Sequence, residues 1–401
     1  MSQDFIPYSK PFWTSEETDA LTEVIQSGWW TTGPRVQRFE EGLRERMGAK
    51  GVVCVANGTV ALYALFHLLK PKEGKVLYVT SALNFLAGPA SASLLGFDVA
   101  FTDVEPDTLN MEPRALEHVL RTRASGYAAV IINPVHFAGV PADMDALAGV
   151  AASHGALLVE DSCHALLGNF PGGALTGNHP SARAGVFSFH PTKSLGTGEG
   201  GAILSNDEAL LQRLRLFCSH NMQRSGFARK EQAFDERGVQ HPWYYEVAEP
   251  GLNLRMSELH AAVGLVQLKR LDESLARRQA LARTYRQELA GLGPVTLHPR
   301  DPRRTSALHL FPVELDLRRL GLSKAAVFQF FEARGIRLQV HYTPLHWQPA
   351  FESLPLVRGA GFPVVDAVAP GLVSLPMYYG LTDAEQAKVI SALRELCGAV
   401  R

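Results

Sequence analysis

The sequence is short of several features that mark particular protein classes. It holds only four cysteines in 401 residues, and Cys54, Cys163, Cys218 and Cys397 form no Cys-x-x-Cys pair and no metal-ligand spacing. A disulfide framework is therefore excluded, and no metal site is expected. No apolar run approaches the roughly 18 residues that a membrane-spanning helix needs. The N-terminus lacks the basic-then-apolar order of a signal peptide.

An excess of charge of one sign is also missing. The chain has 39 Lys and Arg against 40 Asp and Glu, with a pI near 6.9. Neither nucleic acid nor an anionic membrane is an expected partner, because both attract a basic surface. Hydrophobic residues make up 46% of the chain, enough for a large core and two domains. We expect a soluble, cytoplasmic globular protein.

Short apolar runs alternate with helical patterns over the first half of the chain. A helix is expected to begin at Ser15 as its N-cap. Continuous apolar strands separated by helices predict an α/β fold with a mostly parallel sheet covered on both faces. The predicted strands are Gly51–Ala56, Val76–Thr80, Val99–Phe101, Ala128–Ile132, Ala156–Val159, Val186–Phe189 and Ala202–Leu204.

The pattern changes in the second half, which predicts a smaller α/β domain over 246–401 after a large domain over 1–245. The polar, aromatic stretch Gln223–Gly251 is typical of a long functional loop. One long helix is predicted over Met256–Leu292. Further predicted elements are strands at Leu308–Leu315 and Leu338–Val340 and helices at Lys324–Arg334 and Thr382–Leu396.

Lys193 is the first candidate for chemistry, because it stands between a strand-like run and the glycine-rich stretch Gly196–Gly201. A lysine held partly away from water loses its proton more easily and can attack a carbonyl carbon to form a Schiff base. Pyridoxal phosphate is the usual carbonyl partner of such a lysine. A solvated loop lysine is the alternative that Lys193 alone leaves open.

Other residues supply the groups that this coenzyme needs. A helix start at Gly58 and Thr59 offers N–H groups to a phosphate, and Asp161 ends a buried strand where a pyridine nitrogen needs a carboxylate. His164, Phe85 and Ser188 are candidates for contacts with the ring and the phosphate. Each has an ordinary alternative: a plain strand-to-helix turn, a core histidine, a core aromatic or a serine bonded locally.

The glycine run fits two other phosphate motifs poorly. Gly196–Gly201 lacks the Lys-Ser/Thr that completes a nucleoside-triphosphate loop. It also precedes a strand rather than opening a helix, as a dinucleotide fingerprint would. Neither an NTPase nor a dinucleotide-binding protein is indicated.

Together the motifs resemble the DegT/DnrJ/EryC1/StrS sugar aminotransferases, fold-type I pyridoxal-phosphate enzymes, over nearly the whole chain. The ordered matches are Thr32-Gly-Pro34, Asn57-Gly-Thr-Val-Ala-Leu62, Phe101-Thr-Asp103, Val135-His-Phe-Ala-Gly139, Glu160-Asp-Ser-Cys-His-Ala165, Ser188-Phe-His190, Lys193, Gly198-Glu-Gly-Gly201, Gly251-Leu-Asn-Leu-Arg-Met256, His341-Tyr-Thr-Pro-Leu-His346 and Ser374-Leu-Pro376. The sequence departs from the family pattern at two places. The Ser81–Ala90 segment, which contains Phe85, lacks the Pro and Thr that usually precede the stacking aromatic, and Ser162-Cys163 replaces the commoner Ala pair beside Asp161.

The resemblance implies a role for each matched residue. Lys193 would hold pyridoxal phosphate and shuttle a proton, Asp161 would pair with the pyridine nitrogen, and His164 would lie near the phenolic oxygen. Phe85 would stack on the ring, and the phosphate would be bound by Gly58, Thr59 and Ser188. Asn253 would reach the neighbouring subunit's site in a homodimer. The sugar-pocket candidates are Trp30, Thr32, Arg255, His341, Tyr342 and His346.

The activity implied is transfer of an amino group from L-glutamate to a nucleotide-linked keto-deoxysugar. Trp243-Tyr-Tyr-Glu246 and His341-Tyr342 resemble the branch that aminates C4 of UDP-4-keto-6-deoxy-N-acetylhexosamines in pseudaminic acid synthesis. Alternatives are a dTDP-keto-sugar aminotransferase acting at C3 or C4, a sugar dehydratase, or a regulatory member that binds the coenzyme. The dehydratase branch carries histidine where this chain has Lys193. A desulfurase would need a mobile nucleophilic cysteine, and Cys397 is a poor candidate.

Overall fold

A computed structural model describes residues 5–299 and 307–398. Within these two ranges there are ten strands: β1 Gly51–Val55, β2 Val76–Ser81, β3 Asp98–Thr102, β4 Ala129–Ile132, β5 Leu157–Asp161, β6 Ala184–Ser188, β7 Gly201–Ser205, β8 Val295–Leu297, β9 Phe311–Leu315 and β10 Leu372–Leu375. The helices are α1 Ser15–Ser27, α2 Pro34–Met47, α3 Gly58–Leu69, α4 Ala87–Leu94, α5 Pro113–Arg123, α6 Met144–Ser153, α7 Glu208–Phe217, α8 Lys230–Ala233, α9 Glu258–Lys269, α10 Leu271–Leu289, α11 Leu317–Leu320, α12 Lys324–Glu332, α13 Pro349–Glu352, α14 Pro363–Val368 and α15 Asp383–Gly398.

The first seven strands form one sheet in the order β1-β7-β6-β5-β4-β2-β3. β7 runs antiparallel to both of its neighbours, and the remaining pairs are parallel. Alternate residues of each strand enter different cores. In β2, Tyr78 belongs to one buried cluster with α3 and α4, whereas Leu77 belongs to another with α5 and α6. The mostly parallel, doubly covered sheet predicted from the apolar runs is confirmed.

The C-terminal strands form a separate antiparallel sheet in the order β10-β9-β8. Its core is built with residues of α10, α12 and α15 together with Ile6 from the N-terminal arm. The α9 helix packs instead against α1 and α2. The boundary at 245/246 stays a prediction.

The structure corrects four predicted boundaries. Thr14, not Ser15, caps α1, because Thr14 and Glu17 form a reciprocal capping box. The long helix over Met256–Leu292 is two helices, since Arg270 leaves helical dihedrals and pairs with Glu17. The predicted strand Leu308–Leu315 begins only at Phe311.

The fourth error is the predicted strand Leu338–Val340. Its one pairing is the isolated bridge from Gln339 to Ser374, and the Val340 N–H donates to the Gln339 side chain at 2.8 Å. The strands β8 and β10, of three and four residues, were not predicted. Over the two described ranges, no helix is long and apolar enough to cross a membrane.

Candidate active site

The candidate residues gather at one edge of the large sheet. β5 ends at Asp161 and β6 ends at Ser188, while β7 begins at Gly201 beside the end of β1. A Cβ on Gly201 would lie 2.5 Å from the carbonyl carbon of Asn57. Glycine at this position therefore allows β7 to approach the turn that opens α3. In parallel sheets this carboxyl edge is where ligands bind.

The turn after β1 forms an N–H-rich cradle. Asn57 caps α3, and its side chain accepts a hydrogen bond from the Val60 N–H at 3.0 Å. The first N–H groups of a helix have no partner within it and favour an anion. A Cβ on Gly58 would lie 3.0 Å from the Ser188 Cβ, so Gly58 and Ser188 share the space beside the exposed Thr59. The donors gathered here are of the kind that bind a phosphate group.

Asp161 provides a buried carboxylate in the same region. Its side chain is only 6% exposed, and its Oδ1 accepts a hydrogen bond from the Cys163 N–H at 3.1 Å. A buried carboxylate is costly unless it gains a hydrogen-bonded or cationic partner. A protonated pyridine nitrogen would supply one, so Asp161 suits a ring of this kind.

Lys193 lies beside a histidine that the sequence analysis did not single out. Its Nζ is 3.5 Å from the Nε2 of His309. Burial lowers the pKa of Lys193, although the negative charge of Asp161 opposes this shift. The amine is therefore easier to deprotonate than an ordinary lysine. The signal for His309 was an ionisable residue within the apolar run Leu308-His-Leu-Phe311.

His164 and Tyr342 form the next layer of the site. The Tyr342 hydroxyl and the His164 Nε2 are 2.8 Å apart, while the buried His164 Nδ1 has no hydrogen-bond partner among the described residues. Burial and the Lys193 charge lower the pKa of His164 well below its usual value, so the ring is neutral at pH 7. Such an unpaired nitrogen is a place where a ligand could bond.

Two aromatic contacts extend this layer. Phe85 is 47% exposed, and its ring centroid is 5.5 Å from that of Tyr342. His341 packs at 5.5 Å against Tyr8, and its Nδ1 lies 2.9 Å from the Ser374 hydroxyl. Burial and the Lys193 charge lower the pKa of His341 to about 3.

The other sugar-pocket candidates are held by two different segments. The Nε2 of His346 lies 2.8 Å from the Asp366 carboxylate, and its ring packs on Phe362. Trp30 is 54% exposed, and the Thr32 hydroxyl donates to the Met256 carbonyl at 3.2 Å. His346 is therefore held by the α14 segment, while Trp30 and Thr32 lie near the start of α9.

The Gly251–Met256 segment lies beside the cradle. The Ala56 N–H donates to the Leu254 carbonyl at 2.8 Å, and the Arg255 Nη1 donates to the Ser219 hydroxyl at 3.0 Å. Asn253 is exposed. An exposed asparagine next to this edge is available to a second subunit.

Comparison with known proteins identifies the family of this chain. The sequence pattern of the DegT/DnrJ/EryC1/StrS aminotransferase family matches residues 12–394. The chain belongs to that family. Its fold is the fold-type I architecture of these pyridoxal-phosphate enzymes, and its coenzyme is pyridoxal phosphate. The cradle, the buried carboxylate and the desolvated lysine all fit this coenzyme.

Three relatives place this aminotransferase among sugar-modifying enzymes. The spore coat polysaccharide biosynthesis protein SpsC of Bacillus subtilis (strain 168) is 34% identical over 98% of this chain and 97% of its own. PseC of Helicobacter pylori, an aminotransferase involved in the biosynthesis of pseudoaminic acid, has a TM-score of 0.88 and 26% identity, covering 99% and 100% of the two chains. DesI, solved with its TDP-sugar product, has a TM-score of 0.84 and 26% identity, covering 100% and 94%.

Proposed function

We propose that this sugar aminotransferase transfers the amino group of L-glutamate to a nucleotide-linked keto-deoxysugar, at C4 of a UDP-4-keto-6-deoxy-N-acetylhexosamine. The observation that carries the amine-transfer chemistry is the position of the desolvated Lys193 amine at the sheet edge that also holds Asp161 and the Gly58 cradle. The similarity to PseC over the whole chain and the motif His341-Tyr342 support the choice of sugar.

Each group at the sheet edge has one task in this proposal. Bound there, pyridoxal phosphate supplies an electron sink for the carbon that loses its proton. Asp161 would hold a proton at the ring nitrogen, and the Lys193 amine would carry a proton from Cα of the amino donor to C4′ of the coenzyme. A neutral His164 donates or accepts one hydrogen bond near the phenolic oxygen without adding a charge.

Binding residues surround these groups. Gly58 and Thr59 N–H groups and the Ser188 hydroxyl hold the phosphate, and the exposed face of Phe85 covers the ring. Trp30, Thr32, Arg255, His341, Tyr342 and His346 are proposed for the nucleotide-sugar pocket. The exposed Trp30 indole suits a flat base or the apolar face of a sugar.

A dTDP-linked keto-sugar aminated at C3 or C4 is the second candidate, because DesI carries a TDP-sugar product. The purified protein would be incubated with glutamate and either UDP-4-keto-6-deoxy-N-acetylglucosamine or a dTDP-keto-6-deoxyglucose. Mass spectrometry would follow the amino sugar and 2-oxoglutarate. A higher kcat/KM for the UDP sugar supports the first proposal, a higher value for the dTDP sugar supports the second, and conversion of neither contradicts both.

We also propose a homodimer in which Asn253 completes the partner's site. Mixed dimers of Lys193→Ala and Asn253→Ala subunits test this directly. If Asn253 acts across the interface, one site in each mixed dimer keeps both residues, so about half of the wild-type activity returns. If Asn253 acts within its own subunit, every site lacks one residue and activity does not return. The cytoplasmic location expected from the sequence stays a prediction.

A further inference from the structure

His309 lies in the segment just before β9, and backbone hydrogen bonds hold this segment against the large sheet. The Ala307 N–H donates to the Gly139 carbonyl at 2.8 Å and the Leu310 N–H to the Ala138 carbonyl at 3.4 Å. These bonds join the chain just before β9 to the segment that follows β4. As a result, a residue from the C-terminal part of the chain is fixed beside the large sheet.

Arg278 of α10 fixes the same backbone from the other side. Its Nη1 donates to the carbonyls of Leu308, His309 and Met377, at 3.1, 3.3 and 3.1 Å. The guanidinium is only 3% exposed, so it binds carbonyl oxygens rather than water. The position of His309 therefore depends on buried contacts from two directions.

The His309 side chain has one polar contact among the described residues, the 3.5 Å approach of its Nε2 to the Lys193 Nζ. Its buried Nδ1 has no partner there, and its ring centroid lies 4.6 Å from that of His164. The Lys193 amine likewise makes no other hydrogen bond within 5–299 and 307–398. Each group is the other's partner while the amine is free.

The charges around this pair favour a neutral imidazole. Burial, Lys193, His164, Arg278 and His341 all lower the pKa of His309 well below its usual value. In contrast, the carboxylate of Asp161 favours a charged lysine. A neutral ring can hold an amine in place by one hydrogen bond, whereas a carboxylate at the same position would stabilise the ammonium form.

We propose that His309 is a positioning residue that holds the free Lys193 amine, in a form ready to react, whenever the amine is not joined to the coenzyme. This inference rests on the proposed role of Lys193. It assigns the task to a residue outside the motifs at Asp161, His164 and Lys193.

The test uses coenzyme-free full-length protein and three variants, His309→Phe, His309→Gln and His309→Glu. The first measurement is the pH dependence of Lys193 acetylation by trace acetic anhydride, followed by peptide mapping. The second is the rate of pyridoxal phosphate uptake, quenched with borohydride. The control is His179→Phe, because His179 is also buried but bonds to Asp145 instead.

The wild-type acetylation midpoint is expected below the model lysine value of 10.5. His309→Glu is expected to raise that midpoint by about one unit or more, since it places an opposite charge near the amine. His309→Phe is expected to slow uptake about tenfold by removing a hydrogen bond, and His309→Gln to recover most of the rate. His179→Phe is expected to change neither measurement.

Two results would overturn the proposal. One is a His309→Phe protein that takes up coenzyme at the wild-type rate, with a midpoint unchanged in His309→Glu. The other is a wild-type midpoint at or above 10.5, which decides the matter even where a variant does not fold. A failure to trap coenzyme on Lys193 in the wild type would instead refute the proposed function.

Discussion

Replacing Tyr342 with phenylalanine separates two roles for this residue. The sequence motif assigns Tyr342 to the sugar pocket, but in the structure its hydroxyl lies 2.8 Å from the His164 Nε2. Tyr342→Phe removes that oxygen and keeps the ring that packs against Phe85. His164 is 4% exposed, and its Nδ1 already lacks a partner among the described residues. The variant would leave both nitrogens of the His164 ring without a hydrogen-bond partner among the described residues.

The size of the effect follows from the lost hydrogen bond. A buried hydrogen bond contributes about 1–1.5 kcal/mol, and about 1.4 kcal/mol corresponds to a tenfold change in affinity. Since His164 is proposed to act beside the coenzyme, the apparent Kd for pyridoxal phosphate should rise about five- to tenfold. The KM for the nucleotide sugar should change by less than about twofold, because the lost bond is not made to the sugar.

Absorbance titration of coenzyme-free protein gives the Kd, and initial rates at saturating coenzyme give the KM. Tyr127→Phe is a matched control, because the Tyr127 hydroxyl also donates a 2.8 Å hydrogen bond, to Asp98 at the other end of the sheet. A Tyr342→Phe protein with wild-type coenzyme affinity and a strongly raised sugar KM would refute the reasoning. It would show that the Tyr342 hydroxyl acts on the sugar and not through His164.

Three further predictions follow from individual residues. Lys193→Ala should abolish both transamination and borohydride-trapped coenzyme while leaving the circular dichroism spectrum unchanged; the exposed Lys75→Ala should keep both, and coenzyme trapped elsewhere in Lys193→Ala would contradict the assignment. Gly58→Ala should weaken coenzyme binding, measured by absorbance titration, by at least about fivefold, because its Cβ would lie 3.0 Å from the Ser188 Cβ and crowding costs about 1–3 kcal/mol. Gly149→Ala, which has open space around it, should leave affinity unchanged, and equal affinities in the two variants would count against the cradle. Thr14→Ala should lower the free energy of unfolding by about 1 kcal/mol, since it removes the capping box of α1; a urea midpoint equal to that of wild type would show that the box contributes nothing.

The fold was predictable where local pattern and tertiary structure agree. The strands of the large sheet are buried on both faces, so their apolar runs stand out between amphipathic helices. The errors lie where a tertiary contact overrides local preference. Arg270 breaks a continuous helical pattern because its guanidinium pairs with Glu17 of α1, and residues 308–310 leave the strand pattern to bond to the segment after β4.

The candidate site likewise contains residues that local sequence predicts and one that only a tertiary contact places. Lys193, Asp161 and Gly58 were predictable because each is set by its own strand or turn, and the edge of a parallel sheet brings such positions together. His309 was not, because its contact with Lys193 joins residues 116 positions apart through a chain segment held by Arg278 and by the segment after β4. The run Leu308-His-Leu-Phe311 has the composition of a strand, and nothing in it shows which atom the imidazole faces.

The same separation explains how a buried amine can be held by a neutral group although a carboxylate lies close to it. Asp161 acts on Lys193 from the large sheet and favours its ammonium form. His309 reaches the amine from the C-terminal part of the chain as a neutral ring. Its buried, unpaired nitrogen is unfavourable, so the ring stays in this position only where the backbone is held in place. The hydrogen bonds from Arg278 to the carbonyl groups of Leu308, His309 and Met377 hold the backbone there. The state of the amine therefore depends on contacts between the two parts of the chain, and not on the Lys193 motif alone.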